Sequence, residues 1–137
     1  MNTIRFICFG ESKYNLEMAI KYNVVGVSRT TKFTEGEMVY FVIKKNNEWH
    51  VCGRAHTGAE TDLNPFEKPE RYYGYQVYDV ETCDPYPINS ICRETFGKYW
   101  GLKFQRPALI DEKGLINDIT NKFSIIDSVT MLARLEK

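Results

Sequence analysis

The sequence carries no surplus charge: its 18 basic and 18 acidic side chains cancel. Coating a long nucleic-acid duplex needs clustered Lys and Arg to neutralise phosphate, so neutral charge argues against that class of function. It does not argue against a small basic patch beside a base-sized pocket. Long apolar runs are missing too. None approaches the roughly 20 residues that a membrane-crossing helix needs, so no membrane partner is expected. The Met1-Asn2-Thr3-Ile4-Arg5 start lacks the basic-then-apolar pattern of a secretory signal. The four cysteines (Cys8, Cys52, Cys83 and Cys92) form no Cys-x-x-Cys motif. A reduced, cytoplasmic protein is therefore expected, with cysteines acting as small buried hydrophobes. No Walker-type Gly-rich loop occurs. The carboxylates of Glu35, Glu37, Glu60 and Asp62 fall in turns and loops without an acid–base pair.

What the sequence does have is aromatic residues, 14% of the total, with nine tyrosines. Aromatics favour strands and bury much area. At 137 residues the chain suits one domain with its own core, spanning 1–137. Ile4 to Phe9 reads as a first strand stopped by Gly10, and Ser12 as the N-cap of a helix over Lys13 to Tyr22. Val24 to Val27 reads as a short buried strand. Met38 to Ile43 and Trp49 to Ala55 form a hairpin around Lys45-Asn46-Asn47. Alternation puts Trp49, Val51, Gly53 and Ala55 on one face of the return strand, with His50, Cys52 and Arg54 on the other. From Thr57 to Glu70 the chain is polar and aperiodic, predicting a long loop. Strand character resumes over Tyr72 to Val80 and is broken by Pro85 and Pro87. A short helix follows, capped at Asn89 or Ser90 and ending near Gly97, then a last strand over Phe104 to Ile110 and a helical C-terminus. This order predicts an α+β fold: a curved, barrel-like mixed or antiparallel sheet of about five or six strands flanked by helices.

The stretch Phe6-Ile7-Cys8-Phe9-Gly10-Glu11-Ser12-Lys13-Tyr14-Asn15-Leu16, continuing to Val24-Val25-Gly26-Val27, resembles the opening of YTH and EVE domains of the PUA-like superfamily. Val39-Tyr40-Phe41-Val42 with His50-Val51-Cys52-Gly53-Arg54-Ala55 is similar to their central hairpin, and the later elements fall in the family's order. The resemblance implies a PUA-like fold and a binding module that takes one nucleobase, often modified, from single-stranded or flipped-out RNA or DNA. It implies no cofactor.

Such a pocket needs aromatic faces, an amide or backbone group for the base edge, and cations for flanking phosphates. Carried over residue by residue, the resemblance implies that Asn15 meets a base ring nitrogen, with Ser12 and Lys13 beside it. It implies that the backbone of Gly26 and Val27 reads an exocyclic group. Tyr72 or Tyr73 would supply an aromatic wall, and Arg29 and Lys32 would meet phosphate. Val25 departs from the pattern, because YTH domains place a cage Trp there.

Other functions stay open. His50, Cys52 and His56 are candidate metal ligands or a thiol–imidazole pair, although two ligands on one strand face do not close a zinc site. A PUA-like RNA-cleaving or base-modifying enzyme is one alternative. The Gly-x-Lys-x-x-Glu-x-Arg string of the ASCH relatives is not reproduced at Gly10-Glu11-Ser12-Lys13. A protein-interaction module built on the tyrosines is another, and it suits the neutral charge.

Overall fold

The computed structural model describes residues 3–28, 31–105 and 107–136. Five strands, β1 (Ile4–Cys8), β2 (Val24–Val27), β3 (Met38–Lys45), β4 (Glu48–Thr61) and β5 (Tyr73–Pro87), form one sheet in the order β1-β3-β4-β5-β2. β1 lies parallel to β3 and the other pairs are antiparallel. Among the described residues four α-helices surround the sheet: α1 (Lys13–Tyr22), α2 (Asn89–Phe96), α3 (Lys113–Lys122) and α4 (Ser128–Leu135). The mixed, curled α+β architecture read from the sequence is the one observed.

Local chemistry sets the boundaries of α1. The Ser12 hydroxyl accepts the Asn15 backbone N–H at 3.1 Å. Asn23 then stops the helix in the left-handed region at φ 53°, which Asn tolerates better than most residues.

Two apolar layers lie on the two faces of the sheet. The first gathers Leu16, Ala19, Val25, Val39, Phe41, Cys52, Ala55 and Met131 beneath α1 and α4. The second gathers Phe6, Tyr40, Val42, Val51, Cys83, Phe104, Leu115 and Ile119 beneath α2 and α3.

Three expectations need correcting. First, the predicted loop from Thr57 to Glu70 begins as strand, because β4 runs to Thr61, and is irregular only over residues 62–68, before the short turn at Pro69–Arg71. The pairing of β4 with β5 shifts register between Thr57 and Glu60, and between Val51 and Gly53. These bulges hide the strand from a period-2 reading. They also put Val51 in the second layer and Ala55 in the first, where simple alternation has both on one face. Second, β5 continues through Pro85 to Pro87. The side of β5 away from β4 is bridged to Ser124–Ile126 as far as Asp84, and past it β4 is the one partner seen among the described residues. Proline is tolerated where a strand has an unpaired side. Third, no strand forms over Phe104 to Ile110 among the described residues: Phe104 ends a kinked run of 3-10 turns over Gly97–Phe104, and the chain beyond it is turn and irregular backbone. Within that stretch, among the described residues, Ile110 alone makes a bridge, to Ile4. Phe104 is spent on aromatic packing, with ring centroids 5.2 Å from Phe6, 5.1 Å from Trp49 and 5.7 Å from Trp100.

Candidate functional site

β1 and β2 stand at opposite ends of the sheet and do not pair with each other. Curling brings these two edges to face one another, and a cleft opens along the seam. Its outer part has a free volume of about 150 Å³ and is lined by Ile7 and Cys8 from β1 and by Gly26, Val27 and Ser28 from β2 and its end. Arg71, Tyr72, Phe104, Gln105 and Pro107 complete it. A cavity of roughly this size accommodates a benzene-sized ring. The inner part, bounded by Cys8, Phe9, Asn15, Gly26, Phe66 and Tyr72, has only about 10 Å³ free, at the lower limit for a single water.

Asn15 is 8% exposed. Its side-chain Oδ1 accepts the backbone N–H of Glu67 at 2.8 Å, so a loop residue already takes this acceptor. Phe66, 6% exposed, lies over Gly26 and meets Tyr72 edge-on at 5.8 Å between centroids. A methyl group at Gly26 would come within 2.9–3.0 Å of the Phe66 ring and 3.0 Å of Tyr72 Cβ. Gly26 therefore provides the close approach that lets the Phe66 ring and the Tyr72 Cβ pack against β2.

The remaining sequence candidates separate into those at the seam and those away from it. Ser12 caps α1, and its hydroxyl also lies 3.5 Å from Glu67 Oε1. Val25 is fully buried in the first layer and points away from the cleft that its neighbour Gly26 lines. Tyr72 lines the cleft. Tyr73 instead borders a shallow hollow with Glu60 and Asp62. Lys13 pairs with Glu136 and with Glu17, the latter at 3.8 Å. Lys32 lies 3.7 Å from Glu60. Arg29 is outside the described residues.

Sequence reasoning misses Phe66, because Asn64-Pro65-Phe66-Glu67 carries no strand or helix period. Its one signal is a lone aromatic in a polar loop. Phe104 and Gln105 escape because their segment reads as a strand.

The metal and thiol–imidazole reading does not assemble. His50 Nδ1 lies 3.0 Å from the Glu48 carbonyl oxygen, whereas Cys52 is fully buried and donates to the Phe41 carbonyl at 3.5 Å. His56 stacks on Tyr78, with centroids 5.5 Å apart. Among the described residues no group of three or more His, Cys, Asp or Glu side chains is placed to hold a metal. Cys8, the thiol in the cleft, has its pKa raised above the ordinary value by burial, against a lowering contribution from the Gly10 N–H. It is a neutral wall at physiological pH, not a thiolate.

The rim has a different character. Residues 93–106 contain Arg93, Lys98, Lys103 and Arg106 against the single acid Glu94. Among the described residues, Arg71, Arg93, Lys98 and Lys103 have no carboxylate within ion-pair distance. Lys98 and Lys103 lie instead over the rings of Tyr99 and Phe96. Tyr99 is 70% exposed and Leu102 is also exposed. The net neutrality of the chain thus conceals a local basic and aromatic surface that begins beside Phe104 in the cleft wall.

No family model matches the sequence, and neither does any curated protein. Among solved structures the chain is similar to the YTH domain of Pho92, determined in complex with m6A. The two share 17% identity over 90% of this chain and 85% of the other, with a TM-score of 0.59. The chain has a YTH-like fold.

Proposed function

We propose that this chain is a binding module that receives one nucleobase of single-stranded RNA, a modified base among its targets, in the seam between β1 and β2. The observation that carries this reading is the cleft itself. It is ring-sized, walled by Tyr72, floored by the side-chain-free Gly26, and bordered by Arg71, which has no carboxylate within ion-pair distance among the described residues. Tyr72 offers a face for stacking, and Gln105 offers an amide that both donates and accepts at a base edge. Its position in a fold like that of a domain solved with m6A adds support.

The phosphates flanking the base would follow Arg71, Lys103 and Lys98. Lys13 and Lys32 are less suited because each is already engaged with a carboxylate. A phosphate contact made by an unpaired cation gains more than one that must first break an ion pair.

The test is titration of short single-stranded RNAs carrying adenosine, N6-methyladenosine, cytidine or 5-methylcytidine at one central position, at two salt concentrations. Binding should depend on that position, and Tyr72→Ala should weaken it about tenfold or more, the usual contribution of one stacked base. Lys98→Ala with Lys103→Ala should flatten the salt dependence by about 0.7 in log–log slope for each phosphate no longer neutralised. Equal, weak affinity for every RNA would end this reading.

A further inference from the structure

The inner cavity is not simply small; it is filled by the chain. The segment between β4 and the short turn at Pro69–Arg71 delivers Phe66 onto the face of Gly26 and against Tyr72. The next residue, Glu67, donates its backbone N–H to Asn15 Oδ1 at 2.8 Å. A planar ring held against β2, with an adjacent N–H bonded to a buried amide oxygen, is also the set of contacts that a base with an exocyclic N–H would make. We infer that the Leu63–Lys68 segment is an internal pseudo-ligand, which closes the inner cavity and must swing out before a base can seat fully against Asn15. This rests on the base-binding reading above.

The latch that holds it is slight. Asn64 Nδ2 donates to the Pro69 carbonyl at 2.8 Å and to the Tyr72 carbonyl at 3.1 Å. The Leu63 N–H reaches Thr61 Oγ1 at 3.2 Å. The segment has no ladder or helix of its own, and Lys68 sits in the left-handed region at φ 54°. Few bonds and one buried ring oppose opening, as expected of an element that trades places with a ligand. Measured affinity is then the intrinsic affinity reduced by the fraction of molecules open.

The experiment measures binding of N6-methyladenosine nucleoside to the full chain and to Phe66→Ala and Asn64→Ala variants by isothermal titration. Phe66→Ala removes the plug and Asn64→Ala loosens the latch while leaving the ring in place. Both should bind more tightly, the first by about tenfold if a tenth of the molecules are open at rest and by more if fewer are. Weaker or unchanged binding by both variants overturns the inference and makes Phe66 a fixed wall. If Phe66→Ala does not fold, Asn64→Ala decides alone.

The same proteins are titrated with indole, observing the Asn15 side-chain amide by NMR. Indole entering only the variants while no nucleoside or RNA binds any of the proteins would end the base-binding reading and leave the plugged cavity standing. Indole excluded from the variants, or entering the unaltered chain equally well, would end the plug.

Discussion

The two faces of the sheet are equally well buried but do different work. The second layer, beneath α2 and α3, closes on itself: Phe6, Trp49 and Trp100 all pack against Phe104, and Tyr86 donates to the Ile119 carbonyl at 2.8 Å. The first layer, beneath α1 and α4, includes Phe66 and is continuous with the wall of the inner cavity. The second layer reaches the outer cleft through Phe104, while its deep residues such as Ile119 are scaffold. The first layer ends in the inner cavity, so a change deep in it should alter binding as well as stability.

The strongest way to break this contrast is to truncate one deep residue in each layer. Phe41→Ala should destabilise by about 3–5 kcal/mol and Ile119→Ala by about 2–5 kcal/mol, from reduced burial and the cavity left behind. Urea unfolding checks both values. Where both proteins stay folded, RNA affinity should fall for Phe41→Ala, whose neighbour Phe9 lines the inner cavity, and stay unchanged for Ile119→Ala.

Next in size is Gly26→Ala, which should cost about 1–3 kcal/mol by overpacking against Phe66 and Tyr72. The loss should be smaller when Phe66 is also Ala, a coupling that a double-mutant cycle measures. Ser12→Ala follows, at about 1 kcal/mol for removal of the N-cap; thermal unfolding reads it.

The smallest effect concerns acid. The backbone N–H and hydroxyl of Thr130 bond the Asp127 carboxylate and hold its pKa below the ordinary 3.8. A depressed folded-state value stabilises the protein above the unfolded-state pKa, and that contribution is lost as pH falls through the folded one. Asp127→Asn should therefore narrow, slightly, the drop in thermal midpoint seen on acidification below pH 3.8.

Much of this arrangement is legible from residues. The Ser12 cap, the helix to Tyr22 and the Met38 hairpin follow from local chemistry, and local chemistry can be read along a chain. The part that escapes is set by tertiary pairing. β4 continues past Thr57 because β5 is there to receive it, although Gly58 and Ala59 interrupt the alternation. Phe104 has the composition of strand and becomes the hub of a cluster, since its partners come from β1, β4 and the run that carries it. At the site, the sequence singles out Asn15, Gly26 and Tyr72, and the structure brings them to one cavity. Val25 and Tyr73 share the strand composition of their neighbours but face elsewhere, and one residue of phase decides that. The basic rim escapes because net charge sums over the whole chain and erases it.

The strand order also bears on how the molecule is assembled. β3, β4 and β5 are consecutive in the chain, so their pairing closes short loops at little entropic cost. β2 pairs with β5 across the whole β3–β4 hairpin, and β1 must find β3 past α1 and β2. Contacts of longer separation form later in folding and tend to be the first released in partial unfolding. The seam is bounded by those two late strands. The folding pathway thus leaves its final and least protected junction at the mouth of the cleft, and amides of β1 and β2 should exchange with solvent before those of the central hairpin.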